Sequence, residues 1–519
     1  MLNSKTIVRN TAWYGLENGV SFVLSLFTSI AIARTLGPSK MGYIIYVSWV
    51  VQMISSLGGV GIPATTRKYM AEFLGSGDQG TSRHIYLRTL LLQGAMASIM
   101  TGCTTFWVFH DAAREYRVAA LLLALSIWPA MMNFISAQAN VAAEHLSANL
   151  PGSIVSTCTF FVATTLTVIF HWGVNGIAAG MLAMRSADFL VRLIPTARRI
   201  LGWEIMCSEP EGLNSRMLSF AGQSVIGMLL ALIVWDRSEV VLLRHLSSNI
   251  QQVAFYSVAF SLAERLLIVP TVFGSATGAT IFAQYGRDKS KLPALTSAAF
   301  RYHALTSIPM HAIAMALAAS IVLVLYGAQY RGAIAVCVIA PLLCLPKAFL
   351  SPIQNLFEST EEQRYFIITT AVAAVIDIGV ASYLIPQYGA VGACLGSGAA
   401  QTVAVCAMWT IGIRRYKIRL PWEQFFKLSA ISAVTALASY YASRHLPPVW
   451  SLVVGGTTAV VVFGLLCYLF RILEREDCRR FKVLAALCPR VIRVPMENVL
   501  TVISNRLETK TEPTYEVKL

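Results

Sequence analysis

Charge is scarce in this 519-residue chain: Asp, Glu, Lys and Arg make up only 13% of it, against about 25% in an ordinary soluble domain. Acidic residues are the scarcer sign, 26 against 41 basic ones, for a formal net charge of +15. Several enzyme signatures are absent as well. No GxxxxGK[ST], HExxH or G-x-S-x-G occurs, which removes the usual nucleotide cradle, zinc-hydrolase and nucleophile-elbow readings. The ten cysteines show no CxxC and the eight histidines do not cluster, so no metal, no cofactor and no disulfide framework is expected. Gly75-Ser-Gly77-Asp-Gln-Gly80 matches GxGxxG, but it follows a charged amphipathic segment rather than a strand and reads as a flexible turn.

Apolar residues fill the space that charge leaves. They amount to 56% of the chain and fall into about fourteen runs, from Thr11–Ala33 to Val449–Phe470, each long enough to cross roughly 30 Å of hydrocarbon. The fold class expected is therefore an all-α polytopic membrane protein. Short connections leave no room for a soluble domain before the final segment. With the Lys5/Arg9 end in the cytoplasm, alternate loops hold about 29 basic residues inside against about eight outside, so both termini are predicted cytoplasmic. The positive excess is thus an orientation signal, and no nucleic-acid partner is expected. Lys5, Arg9 and Ala31-Ile-Ala33 resemble a cleavable signal, but the run is too long and is interrupted by Glu17 and Asn18, so it is read as a retained span.

The two halves echo each other. Trp172-Gly173-Val-Asn-Gly176-Ile-Ala-Ala-Gly180 faces Tyr388-Gly389-Ala-Val-Gly392-Ala-Cys-Leu-Gly396 at a displacement of about 216 positions, Pro129 answers Pro346, and Arg34-Thr-Leu36 with Tyr46 answers Arg244-His-Leu246 with Tyr256; duplicated halves of this kind are a transporter feature. Two pseudo-symmetric six-helix lobes are expected, residues 1–200 and 215–415, followed by two additional spans over 425–470 and a cytoplasmic tail over 471–519. The tail opens with a basic amphipathic stretch from Arg471, suited to an anionic lipid surface.

Ile32-Ala-Arg34-Thr-Leu36-Gly37-Pro38-Ser-Lys-Met-Gly42-Tyr43, with Gly61-Ile-Pro-Ala64 and Arg67-Lys-Tyr-Met-Ala71, resembles the opening of polysaccharide-biosynthesis transporters. These are Wzx-type lipid-linked oligosaccharide flippases of the MATE-like (MOP) exporter superfamily, which also holds the lipid II flippase. The resemblance implies a non-enzymatic protein of the bacterial inner membrane that translocates a polyprenyl-diphosphate-linked oligosaccharide, an O-antigen, capsule or exopolysaccharide repeat unit, to the periplasmic leaflet by alternating access. It further implies membrane lipids, proton or sodium coupling, and polysaccharide polymerase and glycosyltransferases as partners. A MATE-like cation or drug antiporter is the neighbouring alternative, and a membrane-embedded polymerase or glycosyltransferase the alternative from a different class. The family likeness places the first, second, seventh and eighth spans around the cavity.

Ionisable residues inside spans are rare because each costs about 2.5–3.5 kcal/mol at a helix centre, so they mark candidate sites. Arg265 is the first candidate for gripping phosphate oxygens, a structural ion pair being the other reading, and Arg237 the second. Asp236 and Glu239, three apart, share a helix face at an outer vestibule or in a solvated loop. Gln52 lies on the second span, and Trp13, Trp235 and Tyr256 offer aromatic faces to sugars. Glu17 and Asp377 are candidates for ion coupling; Glu17 reads equally as an acid at the membrane face, and Asp377 implies either a protonated carboxyl or a partner on a neighbouring helix, for which Lys347 is a candidate. Arg185, Asp188 and Arg192 form one stripe read as self-neutralising, with substrate contact as the other reading. Pro341, Pro346 and Pro352 predict a kinked span and a candidate hinge.

Overall fold

The computed structural model describes residues 4–472, apart from 112, 206–209, 211 and 237, with side chains from residue 23 onward at most positions. The expected amphipathic tail, Arg237, and the side chains of Trp13 and Glu17 therefore lie outside the described residues. Among the described residues every regular element is a helix. In chain order these are α1 (Ser4–Leu57), α2 (Ile62–Gly75), α3 (Gln79–Asp111), α4 (Arg117–Leu125), α5 (Ile127–Ala142) and α6 (Leu150–Ile169). Next come α7 (Gly173–Leu201), α8 (Leu213–Trp235), α9 (Glu239–Leu246), α10 (Gln251–Leu266), α11 (Ile268–Arg287) and α12 (Leu292–Leu325). The last six are α13 (Ile334–Cys344), α14 (Leu350–Ser359), α15 (Arg364–Tyr388), α16 (Ala390–Tyr416), α17 (Trp422–Ser443) and α18 (Pro448–Leu469).

Eight helical stretches among the described residues are long and apolar enough to cross a membrane, or nine if the bent pair α1/α2 counts as one span. The expectation of about fourteen runs is not matched one for one, for a physical reason. Several runs are divided: the run around Val253–Phe273 changes helix at Leu267, and the run over residues 332–354 passes from α13 to α14 through a short tight-helical turn, Leu345–Phe349. Others, such as α7, carry charge within the span.

The chain divides into two compact units. One holds the chain through Ala263 with Val322–Cys344 and Glu362–Met408; the other holds Glu264–Ile321, Leu345–Glu361 and the chain from Trp409 on.

Within the first unit, α1 is two helices joined at Gly37, whose φ of 72° breaks the spiral ahead of Pro38. Helix C-termini leave carbonyls without intrahelical donors, and two such ends here cap each other. Arg34, at the end of the first half of α1, donates to the carbonyls of Val324 and Leu325 at the end of α12. Gln329, just beyond α12, donates Nε2 to the carbonyls of Ala33 at 3.2 Å and Arg34 at 3.3 Å.

The internal repeat reappears in local geometry. Gly173 and Gly389, which introduce α7 and α16, have φ of 57° and 55°, a left-handed conformation that costs other L-residues about 1–2 kcal/mol. Each is followed by glycines facing the preceding helix: a Cβ on Gly180 would lie 2.9 Å from Ala163 Cβ, and one on Gly396 would lie 2.7 Å from Ala381 Cβ. Small residues at such crossings let membrane helices approach closely, where packing rather than hydrophobicity drives association. The turn at 75–80 carries no phosphate-loop context. Gly75 ends α2, and Asp78 caps α3 by accepting from the Thr81 N–H at 2.8 Å and its hydroxyl at 2.6 Å, which holds the Asp78 carboxyl below its ordinary range.

In the second unit, α17 and α18 form a hairpin whose Ser439 hydroxyl donates to the Gly455 carbonyl at 2.8 Å. The kink predicted from Pro341, Pro346 and Pro352 is present as the α13–α14 break, with Pro346 inside the intervening turn. Carbonyls freed there find partners in the same unit: His303 Nδ1 lies 2.6 Å from the Ala348 oxygen, and Trp409 Nε1 donates to Phe349 at 3.0 Å.

Candidate functional site

Two clusters of buried charge lie in the first unit. The first is acidic. Helix α8 stops at Trp235, Asp236 takes an extended conformation, and α9 restarts at Glu239. The expectation that Asp236 and Glu239 share one face of a continuous helix is corrected by this break. Asp236 is half-buried, whereas Glu239 is fully enclosed. Tyr256 on α10, 1% exposed, donates its hydroxyl to Glu239 Oε2 at 2.6 Å. Its ring is therefore an interior support for a carboxylate, not an open face for a sugar.

Asp377 on α15 is 1% exposed, and its carboxyl lies within hydrogen-bonding reach of that of Glu239, with Ser397 and Cys394 of α16 beside the pair. Among the described residues neither acid forms an ion pair, and both Asp377 oxygens and Glu239 Oε1 lack a donor. An ionised carboxylate only accepts hydrogen bonds, and two in contact in a dry interior cannot both hold charge.

Lys347 is not the partner of Asp377. Its ammonium lies 2.6 Å from Glu264 Oε1, within the second unit. The turn that breaks α13 from α14 carries this lysine to the end of α10, where Glu264 precedes the half-buried Arg265.

The second cluster is basic. Asp188 on α7 receives Arg192 Nε at 2.7 Å and Asn133 Nδ2 of α5 at 2.7 Å, and Arg192 also reaches Ser153 at 2.8 Å. The stripe is thus only half self-neutralised. Asp188 turns to Arg192, four residues on, and Arg185 is left with a single neutral partner, Gln52 Oε1 on α1 at 3.1 Å. Arg185 Nη1 is buried without any acceptor among the described residues. Gln52, predicted as a substrate contact, uses its amide nitrogen on Ser56 at 3.2 Å. A buried guanidinium lacking an anion is an expensive group to keep.

Other expected residues are dispersed. Trp235 stacks on Phe366 of α15 with ring centroids 6.4 Å apart, and Arg265 belongs to the second unit. Two features escaped sequence reasoning: the isolation of Arg185, and a cluster of Tyr43, Tyr46, Trp107, Arg244 and His245 around one cavity. The only signal for the latter was the pairing of Arg34/Tyr46 with Arg244/Tyr256 in the repeat.

Residues 7–286, more than half of the chain, match a family described as polysaccharide biosynthesis protein. The chain belongs to that family. The motifs at Arg34–Ala71, where this polysaccharide biosynthesis protein builds the α1 break and the α1–α12 caps, lie inside the matched residues. No curated protein matches it by sequence. Among solved structures it resembles the lipid II flippase MurJ in an inward closed conformation, at TM-score 0.71 and 15% identity, covering 88% of this chain and 98% of that one. An inward-facing multidrug resistance MATE family transporter of the MOP superfamily matches at TM-score 0.64 and 16% identity, covering 76% and 94%. A MOP superfamily transporter from Pyrococcus furiosus matches at TM-score 0.58 and 16% identity, covering 80% and 96%. At such identities the likeness establishes a shared polytopic membrane fold.

Proposed function

We propose that this family member is a flippase that moves a polyprenyl-diphosphate-linked oligosaccharide from the cytoplasmic to the periplasmic leaflet of the bacterial inner membrane, coupled to an ion held by Glu239 and Asp377. The observation that carries the reading is membership of the polysaccharide-biosynthesis family on a fold shared with a lipid II flippase. The physical problem is to pass a hydrated, anionic head through hydrocarbon while its apolar tail stays in lipid. Stripping an ion of water without compensation costs tens of kcal/mol by Born estimates, so the path must supply positive charge that is not already neutralised.

Arg185 fits that requirement, with Gln52 orienting its guanidinium; Arg265 and Arg237 are further cations for the diphosphate. The Glu239–Asp377 pair supplies a second bistable element. Loaded with a proton or a small cation it packs stably; emptied, its two charges repel. A pair whose state depends on occupancy can bias two arrangements of six-helix lobes, as alternating access demands. The kinked α13–α14 region around Pro346 is the place for a hinge.

Purified protein in vesicles, supplied with a fluorescent lipid-linked oligosaccharide on the inner leaflet, is expected to expose it to a membrane-impermeant quencher outside faster than protein-free vesicles do. Absence of that acceleration overturns the flippase reading. Accumulation of cationic dyes in its place supports the antiporter alternative.

A further inference from the structure

In the repeat, Arg34 corresponds to Arg244 and Tyr46 to Tyr256. Two of these four residues serve internal tasks: Arg34 caps α12 and Tyr256 holds Glu239. Their counterparts do neither. Arg244, on the last turn of α9, makes no hydrogen bond or ion pair with any described residue, and its guanidinium lies 6.0 Å from the centre of the Tyr46 ring. His245 beside it contacts the same ring, with centroids 6.2 Å apart.

All three line a half-open cavity of about 590 Å³, whose walls also include Tyr43, Val47 and Trp107. Tyr43 is fixed there by stacking on Tyr116 at 4.2 Å. Among the described residues no acidic side chain lines the cavity, and Glu115 sits at the Tyr116 hydroxyl. The volume falls in the roughly 300–1,000 Å³ range of small-ligand sites. By the loop-charge count, this end of the unit faces the periplasm.

The wall chemistry narrows the ligand. Three aromatic residues suit the apolar C–H faces of a pyranose ring, because flat rings pack closely on them and lose little side-chain entropy. An arginine without a carboxylate partner suits a planar carboxylate, which it can grip with two parallel N–H donors. A bare phosphate would use the cation and waste the aromatic walls; a neutral sugar would use the walls and leave the cation unmatched.

We propose that the cavity between α1, α3 and α9 is an acidic-sugar subsite, with Tyr43, Tyr46 and Trp107 packing on a uronic-acid ring and Arg244, assisted by His245, binding its carboxylate. The ligand class rests on the flippase reading, and the subsite extends it by assigning a uronate-containing repeat unit and a place where its head is held on the outer side.

Trp107 gives a direct readout that needs no transport. Full-length protein in detergent is titrated with sodium glucuronate, glucose and sodium phosphate while tryptophan fluorescence is followed, and the Trp107→Phe response is subtracted. Glucuronate is expected to give a saturable change that vanishes in Trp107→Phe and weakens by about tenfold or more in Arg244→Gln, in line with loss of a charged hydrogen bond. Glucose is expected to bind at least tenfold more weakly, and phosphate to leave Trp107 unchanged. No Trp107-dependent response to glucuronate, equal affinity for glucose or phosphate, or full affinity in Arg244→Gln overturns the subsite. If Arg244→Gln does not yield folded protein by thermal melting, Tyr46→Leu and His245→Gln carry the same test. A failed titration leaves the flippase reading standing, whereas failed translocation alongside intact uronate binding overturns the flippase reading alone.

Discussion

Helices α7 and α15 each bury charge inside one compact unit, in opposite signs and with opposite shortages. On α7, Asp188 satisfies Arg192 and leaves Arg185 facing only the neutral Gln52. On α15, Asp377 meets another acid, Glu239, and among the described residues no cation. A fold selected only for stability would pair Arg185 with one of these acids, since an uncompensated buried charge is costly and a broken pair costs about 3–5 kcal/mol. The excess cation and the excess acid are kept apart on different helices, which under the proposed function leaves the first for an anion and the second for a proton or small cation.

The comparison breaks most sharply at the acidic pair. Asp377→Asn leaves an amide that donates to Glu239 permanently, so the pair no longer needs an ion. Ion-gradient-driven translocation in vesicles is expected to fall by well over tenfold, while the protein stays in the membrane and melts at the same or a higher temperature, as replacement of unpaired buried charge usually allows. A variant that keeps gradient dependence would show that the coupling ion binds elsewhere. The basic side comes next. Arg185→Gln removes one charged hydrogen-bond donor set, worth about 1.5–3 kcal/mol, and is expected to slow translocation of the lipid-linked sugar about 10- to 100-fold, with Arg185→Lys restoring part of the rate. Unchanged translocation in both variants would assign Arg185 to structure alone.

Much of this arrangement could be read in the sequence, and the unread part has a definite cause. Span-forming runs, the repeat and the family motifs are local patterns, so Gly173 and Gly389 were legible as equivalent turns before their matching φ angles were known. The rarity of intramembrane charge singled out Glu239, Asp377 and the α7 stripe for the same reason. Partner choice was not legible. Lys347 was the reasonable mate for Asp377 until the Pro346 turn set it against Glu264. The break between the end of α8 at Trp235 and the start of α9 at Glu239 moved Glu239 off the face of Asp236 and into the interior. Both outcomes turn on backbone breaks whose exact register no single-sequence pattern fixes. Arg244 stood out only through the repeat, as the counterpart of Arg34, because nothing in its neighbourhood along the chain shows Tyr46 and Trp107 gathered around it.

The equivalent turns allow a smaller and cleaner comparison. A Cβ at Gly173 meets nothing within 4 Å, whereas one at Gly389 would stand 2.6 Å from Gln252 Oε1, the atom that accepts from the Ala390 N–H at 2.9 Å. Gly173→Ala is expected to carry only the conformational cost, about 1–2 kcal/mol. Gly389→Ala adds the displacement of Gln252 and should lower the melting temperature in detergent further. Equal shifts would mean that the Gln252 contact yields without cost.

The smallest effect is expected where charge is balanced. Glu264 and Lys347 lie 2.6 Å apart, with 44% and 17% of their side chains exposed, and solvent-accessible pairs of this kind contribute about 0–1 kcal/mol. Lys347→Met and Glu264→Gln should each shift the melting temperature slightly, and a double-mutant cycle should return a coupling below about 1 kcal/mol. The contrast with Asp377 lies in charge compensation: removing one member here leaves a partly exposed charge, whereas the enclosed acids on α9 and α15 face no cation among the described residues. A coupling of several kcal/mol would place Glu264–Lys347 among the buried determinants of the fold, and would make the turn at Pro346 a fixed brace between α10 and α14, incompatible with its use as a hinge.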